Sequence, residues 1–361
     1  MKFYVNPNIE EAETLPGSIY SSEYLFEEAK DKIFAKTWQF VATGDNFRLP
    51  TSAYPFAFMD GFIEEPLAFV RDQEDKVHCL SNVCTHRGNK LIESPCQKKE
   101  ILCCYHGRRF GLDGKFKFMP EFKDVKNFPT EKDDLHNVNF DQFGDLFFSS
   151  LDPAFDFSEV YDEINERLSF LPINEMIYSE TLSHDYLVKS NWALYVENYL
   201  EGLHIPFVHP GLAKAIDFRN YKYEIGKYHN LQLGIVKGGE LAFDIPEGHQ
   251  DHGDNIGAYY YWIFPNLMLN FYPWGLSMNI IKPIGRGLTK VSFLPFIWDE
   301  SKIEGGAGGD LDTVEREDEA IVEMVQKGVG SRFYGKGRYS ASMEKGVHHF
   351  HSLIAEFLNK D

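Results

Sequence analysis

The chain has 361 residues, 43% of them hydrophobic and 25% charged, which is typical of a globular protein long enough for two domains. Its 55 acidic residues outnumber 36 Lys and Arg, and the net charge of −19 argues against a nucleic-acid or anionic-membrane partner. No apolar run approaches the roughly 20 residues of a membrane-spanning helix, and no signal-peptide pattern opens the chain. We therefore expect a cytoplasmic protein.

The first part of the chain changes from a helical to a strand-like pattern. Apolar spacing over residues 18–40 predicts a helix that opens at Ser21 or Ser22. From about 38 to 152, short apolar runs broken by polar turns predict small antiparallel strands, including a hairpin around Glu74-Asp75. Asp152-Pro153 is the predicted linker into a second domain.

Beyond this linker, helices are predicted at 158–169, about 192–205 and 311–327, and aromatic-rich strands within 258–298. Strands followed by helices, without β-α-β alternation, indicate the α+β class. Because no glycine-rich phosphate-binding fingerprint follows a strand, we expect no nucleotide bound to this chain.

Two short segments in the first domain combine Cys with His. Cys84 and His86 are followed by Cys103 and His106, in the spacing C-x-H-x16-C-x-x-H. Two thiolates and two imidazoles from two loops predict a Rieske-type [2Fe–2S] cluster, in which Cys holds one iron and His the other. A structural zinc site is the alternative, although zinc fingers usually pair Cys with Cys and His with His. We interpret the remaining cysteines as free thiols: Cys79, Cys96 and Cys104.

A second group of metal-binding residue types lies in residues 191–210. Glu197, Glu201 and His204 are spaced i, i+4 and i+7, so a helix would place them on one face. Pro206 is expected to end or bend this helix, letting His209 approach His204. Two histidines with one carboxylate leave iron(II) open positions for dioxygen.

The third ligand is predicted from the 311–327 helix. Its apolar stripe consists of Leu311, Val314, Ile321, Val322 and Val325. Asp318 lies almost at the centre of this stripe, whereas Glu315 and Glu317 lie about 70° and about 90° away. A lone carboxylate on an apolar face is costly unless a cation neutralises it, which selects Asp318. A buried ion pair with Lys or Arg is the alternative.

These motifs resemble the catalytic (alpha) subunit of Rieske non-haem iron oxygenases. Respiratory Rieske proteins carry an extra, disulfide-bonded Cys in each loop, whereas Asn89 and Tyr105 occupy those positions here. The ending VQKGVGSRFYGKGRYSASMEKGVHHFH and the Glu at position 201, where Asp is more usual, look most similar to the branch that oxidises quaternary ammonium compounds. That branch includes choline, carnitine and glycine betaine monooxygenases and proline-betaine demethylases. We interpret His348, His349 and His351 in this ending as structural or oligomer-facing.

The resemblance implies a fold and a set of partners. It implies an N-terminal helical segment (1–37) packed on the catalytic domain, a small all-β Rieske domain (38–152) and a helix-grip (START-like) mononuclear iron domain with an antiparallel sheet (153–361). A separate flavin and iron–sulfur reductase would pass electrons from NAD(P)H to the cluster. Glu201 would link the cluster of one subunit to the iron of its neighbour in a homotrimer. The expected reaction is hydroxylation or N-demethylation of a small molecule by O2.

Aromatic side chains could hold a trimethylammonium group through cation–π contacts. The candidates are Tyr259, Tyr261, Phe271 and Trp274, although strand alternation lets only about half of the aromatic residues in this region face one cavity. Two alternatives remain open at this point. One is an aromatic-ring or other small-molecule hydroxylase with the same metal sites, and the other is a Rieske electron-transfer protein that is not an enzyme.

Overall fold

The computed structural model describes residues 2–211, 222–303, 305 and 311–360. It divides into two compact units, Ala35–Ala154 and the combination of Met1–Phe34 with Phe155–Asp361. The predicted domain boundaries, at residues 37–38 and 152–153, lie close to these divisions. Every helix among the described residues is too short or too polar to cross a lipid bilayer.

The Ala35–Ala154 unit consists of three small antiparallel sheets. Its strands are β1 (Gln39–Thr43), β2 (Ser52–Phe58), β3 (Glu65–Arg71), β4 (Val77–Ser81), β5 (Cys96–Gln97), β6 (Ile101–Leu102), β7 (Arg109–Phe110), β8 (Phe116–Phe118), β9 (Asn139–Phe143) and β10 (Leu146–Ser150). Their orders are β4-β3-β2-β5, β1-β10-β9 and β6-β7-β8. The predicted hairpin is the β3–β4 pair, and Asp75 lies in its turn with a φ of 69°.

The other unit is one antiparallel sheet with helices. The helices are α1 (Glu23–Ala29), α2 (Ser158–Arg167), α3 (Trp192–Tyr199), α4 (Ile205–Val208), α5 (Leu311–Val329) and α6 (Lys345–Asn359). The strands are β11 (Ile177–Tyr178), β12 (His184–Val188), β13 (Lys222–Ile225), β14 (His229–Ile235), β15 (Ile256–Ile263), β16 (Leu267–Tyr272), β17 (Gly275–Gly285) and β18 (Leu288–Ile297). The sheet order is β11-β18-β17-β16-β15-β14-β13, and β12 also pairs with β18. The predicted α+β class is confirmed.

The two faces of this sheet have different coverings. On one face, Trp262 of β15 packs on Phe350 of α6, with 5.3 Å between ring centroids. On the opposite face, the hydroxyl of Tyr259 donates to Asp251 in the segment before β15, at 3.0 Å. Side chains alternate along a strand, so odd and even positions of β15 meet different surroundings.

Two predicted helices are shorter than expected. The N-terminal helix does begin after Ser22, whose hydroxyl accepts from the Leu25 amide, but a π-turn ends it at Phe34 and β1 follows. The predicted 192–205 helix is divided into α3 and α4. It stops after Tyr199 because the Glu201 carboxylate accepts from the amides of Leu203 and His204, and such side-chain bonds compete with a continuing helix.

The start of α6 lies unusually close to the end of α3. A Cβ atom on Gly346 would lie 2.4 Å from the carbonyl oxygen of Leu200. Only glycine therefore allows this approach without displacing the backbone next to Glu201.

We expect Gly346→Ala to lower the free energy of unfolding by about 1–3 kcal/mol, because the added methyl group overpacks a backbone contact. Gly328→Ala in α5 is the matched control, since a Cβ there meets open space. In a helix that change should raise stability by roughly 0.5–1 kcal/mol. Chemical denaturation of both variants measures the difference, and equal effects would contradict the close-contact explanation.

Candidate metal centres and active-site cavity

Two loops with the same backbone pattern present the first predicted ligand set. In each loop the Cys amide donates to the carbonyl of the residue after the glycine, at 2.8 Å, for Cys84 and for Cys103. In each, the glycine amide donates back to the Cys carbonyl at 3.0 Å. Gly88 and Gly107 have φ values of 72° and 74°, a region that favours glycine. The two motifs therefore form matched tight turns, one after β4 and one between β6 and β7.

The donor chemistry of these loops fits a Rieske cluster. The thiols of Cys84 and Cys103 are buried, with 2% exposure each, whereas His86 is half-buried and His106 exposed. The two imidazole ring centroids lie 4.8 Å apart. Buried thiolates and accessible imidazoles suit a cluster with an inner iron on Cys and an outer iron on His. All five cysteines of the chain are unpaired, including Cys79, Cys96 and Cys104.

The second predicted ligand set converges in the other unit. One ligand atom each of His204, His209 and Asp318 lies within 4.8 Å of the other two. The Nε2 atoms of His204 and His209 are 3.6 Å and 2.9 Å from the same atom, Asp318 Oδ1. The structure thus brings His204 and His209 close to Asp318, which lies more than 100 positions later in the chain, as the sequence predicts.

Each imidazole is oriented from behind by a carboxylate. His204 Nδ1 is 2.7 Å from Glu201 Oε1, and His209 Nδ1 is 2.7 Å from Glu317 Oε2. A carboxylate at Nδ1 keeps a proton there and leaves Nε2 free as a ligand atom. Two nitrogens and one carboxylate oxygen form a donor set that suits iron(II) with open positions.

Contacts between α3 and α5 hold the carboxylate side of this site. Asn198 Nδ2 donates to Asp318 Oδ1 at 2.5 Å, and the Tyr195 hydroxyl donates to Glu315. Residues three apart on one helix therefore meet residues three apart on the other. The beginning of α3 is fixed by Asn191, whose side chain accepts from the Ala193 amide at 3.0 Å.

The electrostatics of the site favour a positive charge. Burial alone would lower the pKa of His209, but the hydrogen bonds and charges of Asp318 and Glu317 outweigh it and raise that pKa. Either a proton or a metal ion satisfies this arrangement. Among the described residues, Asp318 forms ion pairs only with His204 and His209. The alternative, a buried ion pair between Asp318 and a Lys or Arg, is therefore not found in the described part of the chain.

Glu197 does not join the metal site, although the helical spacing placed it beside Glu201. Its Oε1 atom lies 3.1 Å from Nε2 of His351, whose Nδ1 is 2.6 Å from the Tyr339 hydroxyl. His348 contacts the carbonyl oxygen of Asn6. His349 Nδ1 lies 2.7 Å from Asn230 Oδ1. All three C-terminal histidines therefore have internal hydrogen-bonding partners.

A cavity of about 120 Å³ opens on the three predicted iron ligands. Its aromatic wall includes Tyr260 and Tyr272, which are not the residues that the sequence analysis selected. Its remaining wall residues are Tyr195, Asn198, Tyr199, Glu201, Ile205, Gln232, Asn270, Asn279, Phe293, Val314 and Glu315.

The four predicted pocket residues are not among the described residues of the cavity wall, three of them because their strand positions face the other side of the sheet. Tyr259 pairs with Phe271, whereas Tyr260 pairs with Asn270, so the odd positions of the two strands share the face away from the cavity. Tyr261 also lies on that face, and its ring centroid is 6.4 Å from that of Phe271. Trp274 stands behind Tyr272, with 5.4 Å between ring centroids, and does not reach the cavity wall.

Glu317, Asn198 and Glu315 were missed by the sequence analysis. Glu317 lies at the side of the apolar stripe of α5, and this position meets His209 at the end of α4. Asn198 precedes Glu201 by three residues in the E-N-x-x-E segment, and in a helix this spacing places the two side chains on the same face. Glu315 shares the Asp318 face one turn earlier, which was a usable signal.

We expect Glu317→Gln to weaken iron binding by roughly 10–100-fold, because the imidazole of His209 loses its charged Nδ1 partner. Chelator competition on the reconstituted protein measures this, with the [2Fe–2S] absorption as an internal reference. Glu319→Gln, two residues further along α5, removes the same charge and is the control. Equal iron affinities in the two variants would show that Glu317 does not orient His209.

Comparisons with known proteins match both halves of the chain to known domain families. The model of the Rieske [2Fe-2S] domain matches residues 37–129, and that of the ring hydroxylating alpha subunit (catalytic domain) matches residues 175–360. The carnitine monooxygenase oxygenase subunit of Escherichia coli K12 is 28% identical over 98% of this chain and 96% of its own. The chloroplastic choline monooxygenase of Spinacia oleracea is 29% identical over 97% of this chain and 79% of that protein.

Solved structures share the fold. The quaternary ammonium Rieske monooxygenase CntA superposes with a TM-score of 0.75 and 24% identity, covering 98% of this chain and 96% of that one. Naphthalene 1,2-dioxygenase from Rhodococcus sp. gives a TM-score of 0.73 and 17% identity, with coverage of 96% and 94%. Because the catalytic-domain model alone matches more than half of its residues, the chain belongs to the ring-hydroxylating alpha subunit family and is an oxidoreductase, a Rieske oxygenase with a [2Fe–2S] domain and a mononuclear iron domain.

Proposed function

We propose that this chain is the oxygenase component of a monooxygenase that acts on a quaternary ammonium compound. The observation that carries the proposal is the cavity beside His204, His209 and Asp318, whose described wall has tyrosines and carboxylates but no Lys or Arg. Aromatic faces and carboxylates both attract a cation. The names of the carnitine and choline monooxygenases support the same substrate class.

The size of the cavity suits a compact group. Its volume of about 120 Å³ is comparable with the cavity of about 150 Å³ that holds one benzene ring. A trimethylammonium group has such dimensions, and so does a single aromatic ring. The negative wall favours the cation over a neutral ring or an aromatic acid.

The residues of the site have separate tasks in this proposal. When bound, the [2Fe–2S] cluster would supply electrons and the iron would supply open positions for dioxygen. Cys84, His86, Cys103 and His106 would hold the cluster, and His204, His209 and Asp318 the iron. Glu201 and Glu317 keep protons on the Nδ1 atoms of the two iron-binding histidines. Tyr260 and Tyr272 line the cavity and orient the substrate.

The proposal includes partners and a location. We propose a separate NAD(P)H-dependent flavin and iron–sulfur reductase, whose basic docking patch would complement the net charge of −19. A homotrimer would place a neighbouring subunit over Glu201, and the 81% exposed side chain of Phe207 close by supports a covering protein surface. The five unpaired cysteines fit the reducing cytoplasm.

A single turnover tests the reaction and the substrate class. Anaerobically reduced protein is mixed with oxygen and with carnitine, choline, glycine betaine, proline betaine or an aromatic acid, and products are identified by mass spectrometry. We expect one ammonium compound to yield hydroxylated product, trimethylamine or formaldehyde, since a hydroxylated N-methyl group collapses to formaldehyde. Product from an aromatic acid alone would keep the oxygenase class and overturn the substrate class.

With iron supplied in excess, we expect Glu201→Gln to fill both metal sites, although its iron affinity falls as in Glu317→Gln, and to lose coupled turnover by about 100-fold or more. Glutamine can still accept from His204 Nδ1, so the ligand geometry persists, but it cannot hold a negative charge or take up that proton. Metal analysis and the spectrum of the [2Fe–2S] cluster show whether both centres remain. Turnover at the normal rate would contradict the role of Glu201.

A further inference from the structure

Glu315 is the most deeply buried carboxylate of the cavity wall. The residue is 3% exposed, compared with 13% and 15% for the side chains of Glu201 and Asp318. Its Oε2 atom accepts from the Tyr195 hydroxyl. Its Oε1 atom is buried and has no hydrogen-bond partner among the described residues. Burial of an unpaired carboxylate oxygen is costly unless a positive or hydrogen-donating group meets it.

Glu315 lies beside the predicted metal ligand Asp318 but makes no hydrogen bond or ion pair with the two histidines in the described structure. It precedes Asp318 by three residues on α5, so the two side chains are neighbours on one helix face. Asp318 Oδ1 meets the Nε2 atoms of both histidines. Glu315 instead belongs to the cavity wall, and one of its oxygens is buried without a partner among the described residues.

The polarity of the whole wall points to the same kind of ligand. Gln232 donates through Nε2 to the Tyr199 carbonyl at 2.9 Å, and its buried Oε1 has no partner among the described residues. The two fully buried side-chain atoms of wall residues that have no partner among the described residues, on Glu315 and Gln232, are therefore both acceptors. A complementary ligand carries a positive charge and hydrogen-bond donors, as an ammonium alcohol does.

The charge balance agrees with a cationic ligand. Burial raises the pKa of Glu315 to about 8; the Tyr195 hydrogen bond lowers it, and the charges of Asp318 and Glu319 raise it further. Glu315 therefore ionises fully at neutral pH only with positive charge nearby. A ferrous ion balances two of the four negative charges of the carboxylates around the site, which leaves negative charge for a cationic substrate: Glu201, Glu317, Asp318 and Glu315.

We propose that Glu315 is the specificity-determining residue that binds the ammonium cation of the substrate. This inference rests on the proposed function and deepens it, because it names the side chain that distinguishes a cation from a neutral molecule of the same shape. The competing role is structural: a neutral carboxylic acid that only joins α5 to Tyr195 of α3.

A pair of ligands of equal shape separates these roles. Choline and its neutral carbon isostere, in which a carbon atom replaces the nitrogen, are titrated by calorimetry into the oxidised, metal-loaded protein. We expect the wild type to prefer choline, and Glu315→Gln to lower choline affinity roughly 30-fold or more, as when a buried charge loses its partner. Affinity for the isostere should change by less than about threefold, since the amide still accepts from Tyr195.

Glu319→Gln is the matched control, because it removes one charge from the next turn of α5 outside the cavity wall. It should change either affinity by less than about threefold. Equal losses for choline and the isostere in Glu315→Gln would establish the structural role and overturn the inference, as would unchanged choline binding. If the wild type does not prefer choline while an ammonium compound still gives product in the single turnover, the inference alone fails. If no ammonium compound gives product, the proposed substrate class fails as well.

Discussion

The contact between α3 and α5 is the constraint on which both the predicted iron site and the cavity depend. Tyr195 to Glu315 and Asn198 to Asp318 are hydrogen bonds between residues spaced three apart on each helix, so together they fix the register of the pair. A slip of one residue would rotate each carboxylate by about 100°. Apolar packing tolerates such adjustments better than buried polar pairs, which lose their partners at once. The register of α5 is therefore set where the chemistry needs it.

The interruption after α3 has a second consequence. Glu201 uses one oxygen to accept backbone amides, which ends the helical run, and the other to meet His204 Nδ1. The Glu201 side chain thus both ends helix α3 and orients the predicted iron ligand His204. The start of α6 lies against the same turn, because Gly346 permits contact with the Leu200 carbonyl. Local chain geometry and ligand orientation depend on one small group of contacts.

The sequence predicts local features well and long-range ones poorly. The two Cys/His loops and Asp318 follow from spacing, since each depends on neighbours within a turn or a helix. Strand parity in β15 depends on which face α6 covers, so the choice of Tyr259 and Tyr261 failed. The predicted apolar face of α5 is also only partly correct. Val325, a member of the predicted stripe, is 42% exposed, whereas Glu315, which lies outside the predicted stripe, is almost completely buried.

The placement of the carboxylates addresses a conflict that any cation-oxidising metal site faces. A dication and a monocation about 6 Å apart repel each other by roughly 5 kcal/mol at an effective dielectric constant of about 20. Carboxylates beside both charges offset that repulsion. In this protein Glu317 and Glu201 lie behind the histidines and Asp318 joins them. Glu315 lies one helical turn away, with an oxygen that has no partner within the described part of the chain. Negative charge is thus distributed from the predicted iron ligands into the cavity, so the proposed cationic substrate would meet compensating charge where a dication alone would repel it.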